Sequence, residues 1–455
     1  MNPFQQQAKE ITKIYKNWKS INVKPYDKET VDPYTRVRII LMNGTEFESV
    51  WNTSRLTRQC ANNDVRRAMA LIRRGEQQQQ KRIANLKPRN ESMLEHTIGY
   101  EQLAVDLTAI LAQREKNEYV KHQLDFALLE DFDHLYRYAD LLDYERGIHA
   151  EKLVGKYTEI MPGRPTVAEP RSPQDDVRAY INNFLSDPIT RLNVNIITAA
   201  EQQTMNYYMN IANLYESELG RRLYSEIAMI EEQHVTGYGC LKDPAPDLFE
   251  CMVMHEYTEA YLYWSCYNDE TDARIKEIWL MHFEEELSHL HFACSLMEKY
   301  EGRMWQQLFP EGGEFPQLLN FAPQKEYVRE VLKSVRLTAN GEGYEEVDKL
   351  PANFRFFTYN KGVSGNVKGL ASHMVIEKTI GKFGRDYRCT DKPHPVRALD
   401  YTKKDNTAIA RGQGAGSQEK TAGRRLFPAP RVLRKIGFTF ERRYGIMKEK
   451  YTRVF

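Results

Sequence analysis

The chain has 455 residues, with 64 Lys and Arg against 63 Asp and Glu and 11 His, a formal net charge of +1. At 41% hydrophobic and 28% charged residues it is neither a disordered nor a collagen-like sequence, and its length suits two to four domains around a real core. No run approaches about 18 uninterrupted apolar residues, and Met1 to Gln7 has no basic segment leading into an apolar one, so neither a membrane span nor secretion is expected.

Residues 1–90 read as a mixed N-terminal region. The run 36–50 has two β-prone stretches around Asn43-Gly44, which predicts a β-hairpin with a type I′ turn. A basic, Gln-rich helix is expected over about 64–86. From 92 to 145 and from 187 to 300 the chain is dense in Leu, Ile, Tyr, Met, Glu and Ala, the composition of long helices. Between them, 146–186 holds Pro162, Pro165, Pro170 and Pro173 and reads as a connection. Residues 243–247 break the second block and 268–272 form a turn inside it. The Gly- and Pro-punctuated remainder, 303–455, is expected to be an irregular extension wrapping a helical domain at 91–302.

One spacing occurs three times. Glu101, Glu201 and Glu256 are each followed 30 residues later by a carboxylate (Asp131, Glu231, Glu286) and 33 later by a histidine (His134, His234, His289). The second and third copies align at an offset of 55, the first and second at 100. This is an internal repeat of a helical hairpin. On a helix, residues i and i+3 share a face, so Glu231 and His234 can bind one metal together. The residue 30 earlier sits on the preceding antiparallel helix at the same level. Two such hairpins bring four carboxylates and two imidazoles to a bundle interior, a hard oxygen and nitrogen site for two iron or manganese ions. Several buried carboxylates without a cation or protons would be costly, which disfavours a purely structural repeat.

Over residues 95–300 this pattern resembles the ferritin-like di-metal carboxylate superfamily, whose motif is a glutamate followed by (Asp/Glu)-x-x-His, twice, on a four-helix bundle. The interval is similar to that of the large subunits of bacterial multicomponent monooxygenases and of benzoyl-CoA epoxidases. Ribonucleotide reductase small subunits and manganese catalases come close. The resemblance implies a mainly α, ferritin-like bundle enlarged by a third hairpin, with Glu101, Asp131, His134, Glu201, Glu231 and His234 as ligands. It also implies two Fe ions, with Mn or mixed Mn/Fe as alternatives, that activate O2 to oxidise an organic substrate. Asp131 departs from the commoner glutamate, and three triads depart from two.

Connection lengths bear on the pairing. His134 to Glu201 spans 67 residues, enough for a long crossover, whereas His234 to Glu256 spans 22, enough only for a short turn. Hairpins two and three are therefore poor mutual partners, so hairpin one is expected to pair with two or with three, two being favoured. The leftover triad, Glu256, Glu286 and His289, is a relic, a second site completed by another subunit, or the true partner of hairpin one. His255, His282 and His291 lie near it as outer groups or solvent-facing residues. The aromatic stretches at 207–208 and 261–264 are expected to pack the core.

Residues 351–455 carry 23 basic and 8 acidic residues, leaving 41 basic and 55 acidic over 1–350. That tail is expected to lie on its own acidic body rather than to bind nucleic acid. Residues 412–416, Gly-Gln-Gly-Ala-Gly, lack a phosphate-loop ending and are expected to form a loop. Six cysteines without a Cys-x-x-Cys pair point to a reducing cytoplasm and to cysteines used as small hydrophobes. No nucleotide, flavin or iron–sulfur motif is visible, so an oxygenase would take electrons from a separate reductase, most simply as a homodimer. The alternatives are a manganese catalase or peroxidase-like detoxifier, and a non-catalytic metal-binding scaffold with a basic partner-binding tail.

Overall fold

The structure, a computed structural model, describes residues 1–163, 169–334, 337–340, 343–385 and 395–397. After a four-residue turn of helix, α1 (Trp18–Ile21), come α2 (Pro33–Gln59), α3 (Asn63–Ala84), α4 (Met93–Arg114) and α5 (Glu118–Arg146). A second short turn, α6 (Glu151–Val154), precedes α7 (Pro188–Leu214), α8 (Glu218–Leu241), α9 (Leu248–Asp269) and α10 (Ala273–Glu301). The eight long helices among these start where a short polar side chain accepts from a first-turn N–H. The caps are Asp32, Asn62, Ser92, Asn117, Asp187, Ser217, Asp247 and Asp272. Helices α5 and α10 end at Gly147 and Gly302, both left-handed at φ 66°.

Each cap in the second half lies 155 residues after its counterpart in the first, from Asp32/Asp187 to Asn117/Asp272, and so does Gly302 after Gly147. Residues 33–146 and 188–301 are thus two copies of one four-helix unit in unbroken register. The molecule is mainly α. Helices pair as hairpins, α2 with α3, α4 with α5, α7 with α8 and α9 with α10. One bundle combines α4, α5, α7 and α8, and a second combines α2, α3, α9 and α10, so each takes one hairpin from each copy. Helix α2 also packs on α4 and α7, and one apolar core runs through both bundles.

The β-hairpin expected at 36–50 is absent; these residues are the middle of α2. Asp32 and Pro33 start that helix, and its charged residues are satisfied by tertiary partners. Buried Arg38 donates to Glu270 at 2.9 Å and to Asp269 at 2.7 Å on and beside α9. Gly44 is no turn residue; it lets α7 approach. A methyl there would run into the carboxamide of Gln203, which is itself held by the Tyr100 hydroxyl at 2.6 Å and the Ile40 carbonyl at 3.2 Å. Local turn propensity yields to burial on several sides at once. Gly44→Ala is accordingly expected to cost about 1–3 kcal/mol, despite alanine's better helix propensity, read as a lower urea midpoint.

Beyond Glu301 the expected irregular extension contains regular elements. They are α11 (Lys325–Leu332), an antiparallel ribbon of β1 (Leu337–Asn340) and β2 (Gly343–Glu346) with Leu337 opposite Glu346, α12 (Arg355–Ser364) and α13 (Ala371–Phe383). Tyr257 and Tyr261 of α9 donate to the carbonyls of Glu314 and Gln317 at 3.0 and 2.7 Å, fixing the segment that leaves α10. Helix α13 lies on α5 and α8; Glu226 accepts from the Ala371 N–H at 2.8 Å, and Arg137 donates to the Ser372 carbonyl at 3.1 Å. Most of the basic tail, including residues 412–416 and the arginines from 424 to 443, lies outside the described residues. Cys266 is buried, and Cys60, Cys240, Cys251 and Cys294 are partly so and unbridged. Among the described residues no helix is long and apolar enough to cross a membrane.

Between α4 and the connection after α5, wholly buried Asp106 accepts a 2.6 Å hydrogen bond from Thr158. Burial pushes its carboxyl up to about 7 from 3.8, against that hydrogen bond. The folded chain keeps the proton that the unfolded chain loses, so stability falls as pH rises from about 4 to about 7, by at most about 4 kcal/mol. Asp106→Asn, which cannot ionise, is expected to lack this component. Urea midpoints measured across that window should show the variant gaining on the parent toward neutral pH; a constant difference would refute the assignment.

Candidate metal centre

The first bundle brings the six expected residues together. Glu101 comes from α4, Asp131 and His134 from α5, Glu201 from α7, and Glu231 and His234 from α8. All six are buried. They form two groups whose donor atoms lie within 4.8 Å of one another: Asp131, Glu201, Glu231 and His234, and Glu101, His134 and Glu231. Glu231 belongs to both. Its Oε1 lies 2.9 Å from His134 Nδ1, and its Oε2 lies 3.2 Å from His234 Nδ1. His234 Nδ1 is also 3.2 Å from Asp131 and 3.8 Å from Glu201. Hairpin one pairs with hairpin two, the favoured of the two pairings that the connection lengths allow.

Electrostatics sort these groups. Burial pushes Glu101, Glu201 and Asp131 above the usual carboxylate range, and neighbouring carboxylates add to it. Burial pushes Glu231 up as well, but the hydrogen bond from His134 and the His234 imidazole 3.2 Å away outweigh it and hold Glu231 at about 2. Burial alone would lower both histidines, yet the facing carboxylates raise them well above the ordinary value. Among the described residues, Glu101 Oε2, Asp131 Oδ1, Glu201 Oε2, Glu231 Oε2 and His234 Nδ1 have no hydrogen-bonding partner. Buried donor atoms left open and facing one another fit a cation.

Carboxylates stand behind both imidazoles. His234 Nε2 is 2.8 Å from Glu130, whose other oxygen accepts from Arg171 at 2.6 Å; Arg171 also donates to Asp176 at 3.0 Å. His134 Nε2 faces Glu169 at 3.8 Å, and burial pushes Glu169 up to about 8. Tyr208 donates to Glu101 Oε1 at 2.5 Å. The connection 146–186 is therefore part of the site, since it supplies Glu169 and Arg171. No periodic pattern flags those two residues.

No family model, curated protein or solved structure matches this chain. The chemistry open to the site follows from its donors. Four carboxylates and two imidazoles suit a hard or borderline cation such as iron or manganese.

The third triad, Glu256, Glu286 and His289, lies in the second bundle and does not join the first cluster. There it meets Glu76 of α3, within the region that the sequence reading left without ligands. The missed signal was the same spacing: Glu46 is followed 30 residues later by Glu76 and 33 later by Gln79. The chain thus has four hairpins of one pattern, not three, and glutamine replaces histidine in the first. His282 is buried between Arg82 at 2.6 Å and the Tyr263 hydroxyl at 3.0 Å, and His291 contacts the Pro3 carbonyl at 3.0 Å.

Proposed function

We propose that the first cluster is a di-metal centre, most simply di-iron, of an oxidoreductase that uses O2 to oxidise an organic substrate. One observation carries this reading: ligand-type side chains from four helices form two adjacent groups that share the ionised carboxylate of Glu231. Glu101, Asp131, His134, Glu201, Glu231 and His234 would hold the two ions, which in reduced form would supply the two electrons that O2 activation needs.

The chain's own residues prepare that centre. Glu130 against His234 Nε2 favours the tautomer that leaves Nδ1 open toward the carboxylates, and Glu169 stands in the corresponding place for His134. Tyr208 occupies Glu101 Oε1 and leaves Oε2 as the donor. The hydroxyls of Tyr138 and Tyr238 are buried without a hydrogen-bonding partner, and their titration feels Glu101 and Glu201 respectively. They are available to donate to a small polar occupant of the site. Complete burial excludes bulk water, which strengthens each of these interactions.

The sequence shows no motif for a flavin or nicotinamide, so electrons would come from a separate reductase. The test is anaerobic reconstitution with Fe(II) or Mn(II), followed by exposure to O2 with and without a chemical reductant. The proposal expects O2 uptake sustained only by reductant. Release of O2 from added peroxide without reductant would replace it with a catalase-like activity, and neither behaviour in metal-loaded protein would leave a metal-binding scaffold.

A further inference from the structure

Under the 155-residue repeat, the first cluster has a counterpart. Glu101, Asp131 and His134 correspond to Glu256, Glu286 and His289, and Glu46, Glu76 and Gln79 correspond to Glu201, Glu231 and His234. The contacts correspond too. His289 Nδ1 lies 3.0 Å from Glu76, as His134 Nδ1 lies 2.9 Å from Glu231. Gln79 donates to Glu286 at 2.5 Å where His234 faces Asp131 at 3.2 Å. A buried tyrosine also caps one carboxylate in each bundle, Tyr208 on Glu101 and Tyr263 on Glu46, although these two bonds are not related by the 155-residue repeat. Even the carboxylate behind the motif recurs, since Glu285 stands 155 residues after Glu130 and faces Arg82 at 3.5 Å.

We infer that the second bundle holds a second metal site for one divalent transition-metal ion, bound by Glu76, Glu256, Glu286 and His289. The four donor atoms lie within 4.8 Å of one another and all four residues are buried. His289 Nδ1 is 3.2 Å from Glu286 and 3.7 Å from Glu256, so its imidazole is aimed into the group. Both oxygens of Glu76, Glu256 Oε2 and Gln79 Oε1 are buried there without a hydrogen-bonding partner. Gly75 makes room for the imidazole, because a methyl there would strike His289 Nε2.

The two sites differ in one decisive position. Where His234 offers a ring nitrogen, Gln79 commits its amide N–H to Glu286 and keeps only a neutral carbonyl oxygen, a weaker donor to a transition metal than imidazole. The neighbouring trio Glu46, Glu76 and Glu259 then has carboxylates only, one of them shared with the first position. A single imidazole and a weaker second position favour one ion rather than two. Such a centre cannot hold adjacent metals for two-electron chemistry, so its role is to tie α3, α9 and α10 together.

The test is titration of metal-free, full-length protein with Mn(II), counting bound ions by elemental analysis and electron paramagnetic resonance. The parent should bind about three ions per chain, and Glu231→Ala about one. His289→Ala in the parent should remove one ion and spare the first centre, with helical content by circular dichroism unchanged. Gly75→Ala, which keeps every donor but displaces the imidazole, should lose the same ion and guards against misfolding of the histidine variant. Gln79→His should add one. Equal metal in parent, His289→Ala and Gly75→Ala would overturn the second site while leaving the first intact. A parent binding none would overturn both.

Discussion

Replacing Glu231 with alanine is expected to remove about two metal ions per chain, whereas Glu101→Ala is expected to remove about one. The difference rests on geometry. Glu231 is the one carboxylate within reach of both groups, with one oxygen toward each histidine, while Glu101 belongs to a single group. It is also the carboxylate held ionised at about 2, because both imidazoles oppose the effect of burial; its neighbours are pushed upward. In the metal-free chain the substitution takes a hydrogen bond from His134 and a facing carboxylate from His234 but relieves repulsion on Glu101, Asp131 and Glu201. The helical fold is therefore expected to survive, and circular dichroism should show this. Loss of only one ion from Glu231→Ala would mean that the carboxylate is not shared.

Arg171→Leu should give the largest loss of stability, about 3–5 kcal/mol, as a lower urea midpoint with the slope preserved. The guanidinium is fully buried between Glu130 and Asp176, at 2.6 and 3.0 Å, and burial already pushes Asp176 up to about 6 against its attraction. Removing the cation leaves two acidic side chains in the interior with one compensating charge fewer. Because Glu130 also orients His234, metal affinity should fall about 10–100-fold in parallel. Unchanged affinity in a destabilised variant would make Arg171 structural only.

The helical blocks and the ligand set of the first cluster were legible because both depend on periodic patterns. Blocks dense in Leu, Ile, Tyr, Met, Glu and Ala, bounded by Pro-rich breaks, mark the helices, and the 30/33 spacing places Glu, Asp and His on facing helices at one level. The offsets of 55 and 100 add up to the 155-residue duplication, whose full register became plain only once the caps from Asp32 to Asp272 were in place. The first hairpin escaped for two physical reasons. Asn43-Gly44 is a strong local turn signal, but Gly44 serves the close approach of Gln203, and tertiary burial overrides the local preference. Gln79 sits in a run of four glutamines inside a basic, Gln-rich helix, with no histidine to complete the motif, yet it is buried against Glu286. Glu169 and Arg171 come from a Pro-rich connection with no repeating pattern, so only the folded chain shows them behind the histidines.

The most direct measurement is anomalous diffraction at the iron edge from crystals of protein reconstituted anaerobically with Fe(II). A di-metal centre predicts two adjacent peaks flanking Glu231, one beside Glu101 and His134, the other beside Asp131, Glu201 and His234. A well-ordered cluster without anomalous density, with His134 still hydrogen-bonded to Glu231, would contradict it.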